Sequence, residues 1–320
     1  MMSMGMKPRS LLAAGMYCLL MANFAIAAQC EGNKVATPSK ADVAKLEELA
    51  TSGDVTAQAQ VGSEEQYLLG QYYASNGKSE SDFHKAVGLL RRSAEQGCIP
   101  AVFALGVLTY GGKGVTKNTE EGFRLISRAA EAGDTSAQLW VGMLLMGGSG
   151  AVQDTQAGFA WIKRASDSGD SSAEIALAAA YLEGTGTKRD PEATRAILES
   201  VYKKRDSQAS TAAAYLGWMY MDGKGAPVDN VKAFRWTIIA ANANVPGSKE
   251  RLRMLMQRLP ENKLNTACGI YIDASLDSKE YWLADAGEKI ILLSSGGSMA
   301  EVFLPQRSLL GYVSPKCLNM

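Results

Sequence analysis

The sequence predicts an all-α solenoid of helix-turn-helix repeats, with five units plus caps and a small β-rich module at its C-terminal end. The first observation is a small residue that recurs every 36 to 39 residues, at Gly70, Gly106, Gly142, Ala178 and Gly217. The second is a Gly-x-Gly that begins six residues after the last four of these. The third is a short polar side chain four residues after the second glycine of each Gly-x-Gly. A period of this size indicates units that bury their apolar faces only against their neighbours.

Each unit is predicted to consist of two helices joined by a tight corner. Glycine suits the corner because it adopts a positive φ without a Cβ clash. The short polar residue is of the type expected at the N-cap of the second helix, where it accepts a backbone hydrogen bond. The predicted caps are Asn118, Asp154, Asp190 and Asp229, with Asp82 in the first unit. Seven residues after each cap stands an apolar position, at Leu89, Leu125, Trp161, Ile197 and Trp236.

Two further signals mark the boundaries of the units. The recurring small residue is expected to let the two helices of a unit approach each other closely. Gly97, Gly133 and Gly169 are predicted to end second helices. An aspartate follows directly at Asp134 and Asp170, which predicts a new N-cap and therefore the start of the next unit.

The sequence motif of the repeat resembles that of a known family. The fifth unit reads Leu216-Gly217, Tyr220, Gly223, Gly225, Asp229, Lys232-Ala233 and Trp236. A second good copy reads Leu105-Gly106, Gly112, Gly114-Val115 and Asn118. This pattern resembles the Sel-one-like repeats (SLR), relatives of the tetratricopeptide repeats, over roughly residues 41–245. The resemblance implies a right-handed superhelical solenoid. Since the family's motif is structural, it implies no catalytic residue.

The N-terminus predicts an exported protein. Lys7 and Arg9 precede a nearly continuous apolar run, and Ala25-Ile26-Ala27 then offers small residues at the positions a signal peptidase requires. We therefore expect a signal peptide over residues 1–28 and a periplasmic location in a Gram-negative bacterium. The alternative is an uncleaved membrane anchor, because the apolar run extends past Phe24.

The cysteines are consistent with export. Removal of the signal peptide would take Cys18 away and leave an even number, which favours disulfides in an exported chain. Four cysteines allow three pairings, of which we favour Cys30 with Cys98 and Cys268 with Cys317. A zinc site is disfavoured, because the four are widely scattered and no Cys-x-x-Cys occurs.

The chain changes in character after the repeats. A capping helix is predicted within residues 246–266, with Leu252, Leu255 and Leu259 facing inward. Short apolar runs at 269–272, 290–293, 300–304 and 309–313 predict strands of a small antiparallel sheet. The alternative is a disordered tail. The predicted segments are a signal peptide 1–28, an N-terminal tail and capping helix 29–56, five repeats 57–245, a capping helix 246–266 and a disulfide-closed β-rich module 267–320.

The composition argues against an ordinary hydrolase. His84 is the only histidine, so catalytic triads and histidine-rich metal sites are disfavoured. Ser75 and Lys78 match the Ser-x-x-Lys of penicillin-recognising enzymes, but they fall in a repeat corner and the accompanying motifs are missing. We predict no enzyme, no catalytic residue, no cofactor and no metal. The alternative is an envelope enzyme that acts on cell-wall or β-lactam substrates.

Charge and architecture together predict a protein-binding scaffold. Loss of Lys7 and Arg9 would leave 31 basic against 33 acidic side chains, a net charge of −2, which disfavours a nucleic-acid binder or specific membrane binding. We expect the first helices to line a groove that holds another envelope protein, or a secreted toxin or effector if the protein is an immunity protein. The predicted contact residues are Tyr67, Gln71, Tyr72, Phe103, Trp140, Met143, Trp218 and Met219. Each of these positions could instead belong to the core.

Overall fold

The computed structural model describes Ala44 and residues 62–259, 261–271, 280–294, 299–306 and 309–318. The predicted signal peptide, nearly all of the N-terminal tail and capping helix, and Cys30 lie outside the described residues. The chain divides into two compact units, an N-terminal unit (Met1–Arg189) and a C-terminal unit (Asp190–Met320).

Between residues 62 and 259 the chain forms eleven α-helices. They are α1 Ser63–Asn76, α2 Glu80–Glu95, α3 Ile99–Gly111, α4 Thr119–Glu131, α5 Thr135–Gly147, α6 Thr155–Asp167, α7 Ser171–Glu183, α8 Pro191–Lys204, α9 Ala209–Asp222, α10 Asn230–Asn242 and α11 Ser248–Arg258. The odd-numbered helices α1 to α9 are the first helices of the five repeats and the even-numbered helices α2 to α10 are the second helices. None of these helices is both long and apolar enough to cross a membrane.

The corners follow the predicted chemistry in four of the five repeats. Gly112, Gly148, Gly184 and Gly223 end their helices in the left-handed region, with φ of 72°, 66°, 73° and 68°. The side chains of Asn118, Asp154, Asp190 and Asp229 each accept a backbone N–H three residues later. The predicted N-caps Asp134 and Asp170 accept in the same way from Ala137 and Ala173. The glycine and cap predictions are therefore confirmed in these repeats.

The first repeat departs from the prediction that Asp82 is its cap. The cap is Ser79, whose hydroxyl accepts from the backbone N–H of Asp82 at 3.2 Å. The Asp82 carboxylate accepts in return from the N–H groups of Lys78 and Ser79, both at 3.0 Å. The Ser79 hydroxyl also donates to the Asp82 carboxylate at 2.7 Å, and this hydrogen bond, followed by the two from the backbone, lowers the pKa of Asp82 from its ordinary value. Helix α2 therefore begins three residues earlier than the repeat register predicts, and it is longer than its counterparts.

The small anchoring residues allow the two helices of a repeat to touch. A Cβ placed on Gly142 would lie 2.5 Å from Cγ1 of Ile162 and 2.8 Å from the carbonyl oxygen of Gly158. The same construction on Gly106 meets Ile126 at 2.8 Å. These contacts involve the residue eight positions after the cap, one later than the predicted apolar position. Ile126 and Ile162 are fully buried there, whereas the predicted Leu125 and Trp161 are only half-buried.

We expect Gly142→Ala to destabilise the N-terminal unit although alanine is the better helix former. The clash with Ile162 costs about 1–3 kcal/mol, more than the roughly 1 kcal/mol gained in helix propensity. The control is Gly88→Ala on α2, where a Cβ would meet nothing within 4 Å. That change is expected to stabilise by about 0.5–1 kcal/mol. Denaturant unfolding followed by circular dichroism distinguishes the two, and equal stability of both variants would contradict the close contact.

The C-terminal segment forms a six-stranded antiparallel sheet in the order β1-β4-β5-β6-β2-β3. Its strands are β1 Glu261–Lys263, β2 Cys268–Tyr271, β3 Glu280–Ala284, β4 Lys289–Ser294, β5 Ala300–Leu304 and β6 Leu309–Val313. The four predicted strands are present as β2, β4, β5 and β6. Strands β1 and β3 were not predicted. Strand β1 lies within the range 246–266 assigned to the capping helix, so the sheet begins earlier in the chain than predicted.

Strand β5, in the interior of the sheet, is buried on both sides. On one side Phe303 packs edge-on against Phe234 of α10, with ring centroids 4.9 Å apart, in a cluster that includes Leu255 of α11. On the other side Ile270 and Val302 lie in a second apolar cluster. The sheet therefore has an apolar cluster of its own on one side and shares the first cluster with α10 and α11 on the other.

A disulfide closes the second cluster. Cys268 at the start of β2 is bonded to Cys317 in the short 3-10 helix Pro315–Leu318, which confirms the second predicted pairing. Cys98 is also disulfide-bonded. Its predicted partner Cys30 lies outside the described residues, so that pairing stays a prediction.

Candidate protein-binding surface

The predicted contact residues fall into two groups. Tyr67, Gln71, Met143 and Met219 are buried, with 4%, 9%, 8% and 1% of their surface exposed. They pack within the repeats and are not available to a partner, so we remove them from the predicted binding set. Tyr72, Phe103, Trp140 and Trp218 are half-buried and remain accessible.

Two of the accessible residues meet across neighbouring repeats of the N-terminal unit. Phe103 on α3 and Trp140 on α5 stand edge-on, with ring centroids 6.1 Å apart and an interplanar angle of 73°. Val107, one turn after Phe103 on the same helix, is half-buried as well. We call Phe103, Val107 and Trp140 the aromatic patch. Edge-on aromatic pairs are favourable, and each ring leaves surface for a partner.

The positions that hold large side chains on α5 hold small ones on the first helix of the next repeat. One period after Trp140 and Met143 stand Ala176 and Ala179 on α7, and both are half-buried. Short side chains leave space in front of a helix, so this part of α7 accommodates a bulky side chain of a partner. These two alanines were not among the predicted contact residues. Aligning α5 with α7 at the repeat period would have found them.

Burial dominates the electrostatics at the start of α5. Burial raises the pKa of Tyr67, and the nearby Asp134 carboxylate raises it further. Burial also raises the pKa of Asp134, although backbone N–H groups of Ala137 and Ser136 oppose the shift. Asp134 keeps its structural role, since Oδ1 accepts from the Ala137 N–H at 2.7 Å. Tyr67 belongs to the core and Asp134 is a half-buried helix cap, so we assign neither a reactive role.

The C-terminal unit presents a separate aromatic surface. Trp218 on α9 is half-buried, and the Nζ of Lys224 lies 4.2 Å from its ring centroid. On α11, burial lowers the pKa of the Arg251 guanidinium, while the charges of Asp222 and Tyr215 act in the opposite direction. A cation over an indole ring is stabilising but leaves one face of the ring covered.

The side chains weighed as catalytic candidates do not form a site. Ser75 and Lys78 are exposed, the first in the last turn of α1 and the second in the loop that follows. His84 is exposed on α2, with Nδ1 2.8 Å from the carbonyl oxygen of Glu80. In the part of the chain that the structure describes, no three His, Cys, Asp or Glu side chains are grouped so that they could hold a metal ion.

Comparisons with known proteins agree with the repeat architecture. A family model described as Sel1 repeat matches residues 66–98, 99–134, 135–170, 171–199 and 210–245, more than half of the chain. No curated protein matches the chain.

Two solved structures are similar to it. One is a protective antigen present in uropathogenic Escherichia coli strains and displaying an SLR fold, with 25% identity, a TM-score of 0.54, and coverage of 67% of this chain and 43% of that one. The other is a Sel1 repeat protein from Oxalobacter formigenes, with 24% identity, a TM-score of 0.54, and coverage of 66% and 86%. The chain thus spans less than half the length of the first of these relatives.

Sel1 repeat proteins act as protein–protein interaction scaffolds, and the family is generally non-catalytic. The family model matches five repeats of this chain. The repeat motif of the sequence, the glycine corners and the close contacts between helices agree with that match. The chain belongs to the Sel1 repeat family.

Proposed function

We propose that the protein is an exported interaction scaffold or adaptor that holds another envelope protein, or a secreted toxin or effector, against the first helices of its repeats. The observation that carries the proposal is the aromatic patch. Phe103 and Trp140 are large side chains that stay half-exposed on neighbouring first helices, whereas most other large apolar side chains of these helices are buried. Exposed aromatic residues are the side chains that most often anchor a protein partner.

Export is supported by the N-terminal sequence and by the cysteines. Lys7, Arg9 and the apolar run that follows have the composition of a signal peptide. The bonded pair Cys268 and Cys317 suits an oxidising compartment such as the periplasm. An immunity protein against a periplasm-targeted toxin is the specialised form of this proposal.

Capture of a partner tests the proposal. The mature protein, immobilised and incubated with envelope extract, is expected to retain one protein through washing. Trp140→Ala is expected to weaken that interaction at least about tenfold, as loss of a central aromatic anchor does. The matched control is Trp161→Ala on α6, a half-buried tryptophan on a second helix of the same unit. The affinity of the purified partner is then measured by titration against the wild-type, Trp140→Ala and Trp161→Ala proteins.

Three outcomes would contradict the proposal. The first is that no protein stays bound. The second is equal binding by the Trp140→Ala and wild-type proteins. The third is turnover of a cell-wall or β-lactam substrate that Ser75→Ala abolishes, which would favour the enzyme alternative. Mass spectrometry of the N-terminus in a periplasmic fraction tests export and cleavage of residues 1–28.

A further inference from the structure

Helix α11 of the C-terminal unit is strongly basic. Its basic residues are Lys249, Arg251, Arg253 and Arg258, and its only acidic residue is Glu250. Arg253 pairs with Glu250 at 3.2 Å, and both side chains are largely exposed. Within the described part of the chain, neither Arg251 nor Arg258 forms an ion pair with a carboxylate. These two guanidinium groups are therefore available to a carboxylate from another molecule.

Arg251 and Arg258 lie on the side of α11 that faces α9. They flank the fully buried Leu255 at spacings of four and three residues, so the three share one face. Nη1 of Arg258 lies 3.5 Å from the carbonyl oxygen of Met221, near the end of α9. The short connections make α9 and α11 run in the same direction, each antiparallel to α10. Arg251, two turns before Arg258, therefore lies on the side of Tyr215, with which it interacts electrostatically.

The accessible side of α9 is aromatic. Tyr215, Trp218 and Asp222 follow at spacings of three and four residues, so they share one face of the helix. The two rings are half-buried and the carboxylate is exposed. Lys224, in the loop after α9, adds a cation, since its Nζ lies 4.2 Å from the ring centroid of Trp218. We define the basic aromatic face by its five members, Tyr215, Trp218, Lys224, Arg251 and Arg258.

The positive charge of this face is not compensated within the C-terminal helices that form it. Asp222 is the only charged residue of α9. Burial lowers the pKa of Arg251 by more than Asp222 and Tyr215 raise it. Arg251 is also the fourth residue of α11, close to the end at which the helix dipole disfavours a cation. Neither the neighbouring charges nor the helix explains why a guanidinium stands here, whereas a carboxylate from a partner would supply its missing counter-charge.

We infer that the basic aromatic face binds an acidic segment of a partner protein that also carries apolar side chains. Carboxylates of the segment pair with Arg251 and Arg258, and its apolar side chains pack against Tyr215 and Trp218. A protein segment fits better than a lipid surface or a nucleic acid, because Asp222 on the same face repels a continuous array of phosphates. The inference goes beyond the proposed function by adding a second contact surface, and it does not depend on the aromatic patch.

Three fluorescent peptides of about ten residues, long enough to cover two helical turns, test the inference against the full mature protein. The first alternates glutamate with leucine, the second alternates lysine with leucine, and the third alternates glutamate with serine. Fluorescence anisotropy is expected to show that the glutamate–leucine peptide binds at least about tenfold more tightly than either of the others. Arg251→Gln is expected to reduce that affinity about tenfold. The matched control Arg253→Gln removes the same charge from the same helix and is expected to leave the affinity unchanged.

Unfolding of the same variants separates binding from a structural role. Arg251→Gln is expected to keep the denaturant midpoint of the wild type or to raise it, because the guanidinium that it removes has no ion pair. A midpoint below that of Arg253→Gln would assign Arg251 to the fold and overturn the inference. Lys224→Gln, in an exposed loop, gives an independent measurement. It is expected to weaken the glutamate–leucine peptide about threefold at low salt and little at high salt.

Three binding results would also overturn the inference. The first is equal binding of the lysine–leucine peptide. The second is an affinity for the glutamate–leucine peptide that neither Arg251→Gln nor Lys224→Gln changes. The third is binding of phosphatidylglycerol vesicles that Arg251→Gln abolishes, which would assign the face to a membrane surface. If envelope capture still depends on Trp140 in any of these cases, the proposed scaffold function stands and only the second surface fails.

Discussion

Arg235→Leu is expected to destabilise the C-terminal unit by about 3–5 kcal/mol, because it leaves a buried carboxylate without its counter-charge. Arg235 on α10 is paired through Nη2 with Oε2 of Glu301 on β5. The Glu301 side chain is only 7% exposed, against 42% for Arg235. Glu301 belongs to a strand whose residues are all buried, so its carboxylate depends on the guanidinium for its counter-charge. Urea unfolding followed by tryptophan fluorescence measures the loss.

Two controls isolate the buried pair. Arg253→Leu removes a similar ion pair with Glu250, but the side chains are 75% and 67% exposed, so we expect a change within about 0.5 kcal/mol. Combining Arg235→Leu with Glu301→Leu removes both charges and is expected to recover most of the stability, because an apolar pair suits this interior. If Arg235→Leu costs no more than Arg253→Leu, the Glu301 carboxylate is not isolated from water.

Loss of the Cys268–Cys317 disulfide is the second large effect. The two cysteines are 49 residues apart in sequence and both are buried. Closing a loop of this length restricts the unfolded chain and contributes about 4 kcal/mol. The double variant Cys268→Ser, Cys317→Ser is therefore expected to lower the unfolding free energy of the C-terminal unit by about that amount. Guanidinium unfolding under non-reducing conditions gives the value.

Reducing agent alone would not be a clean test, because Cys98 is disulfide-bonded as well. Unfolding the double variant with and without reductant separates the two bonds. The difference that reductant causes in the variant belongs to the Cys98 bond. A double variant that unfolds at the denaturant concentration of the wild type would show that the bond contributes nothing to stability.

The repeats were predictable because their signals are local. A corner glycine, a cap and a small anchor each act over a few residues, so Gly112 and Asn118 identify their roles without knowledge of the rest of the chain. The same logic misplaced the cap of the first repeat. Ser79 and Asp82 both have capping chemistry, and the loop around Gly77 has no second glycine to set the register.

The parts that were missed depend on distant contacts. Strand β1 is short and polar, and only its pairing with β4 identifies it. The shared core of Phe234 and Phe303 joins residues far apart in sequence. Burial of Tyr67 and Met143 likewise depends on neighbouring helices. The periodic pattern shows that these side chains occupy first helices, and it does not distinguish the side that meets a neighbour from the side that meets water.

The β-sheet on the last helices limits how this chain can evolve. In an open repeat array, gene duplication can append units at the end, since each unit offers its successor an uncovered apolar side. Here Phe303 and its neighbours already cover that side of α10 and α11. Extra copies can therefore be accepted only upstream, by insertion between existing units, so variation in length among descendants of this gene should be found before Asn230 and not after it.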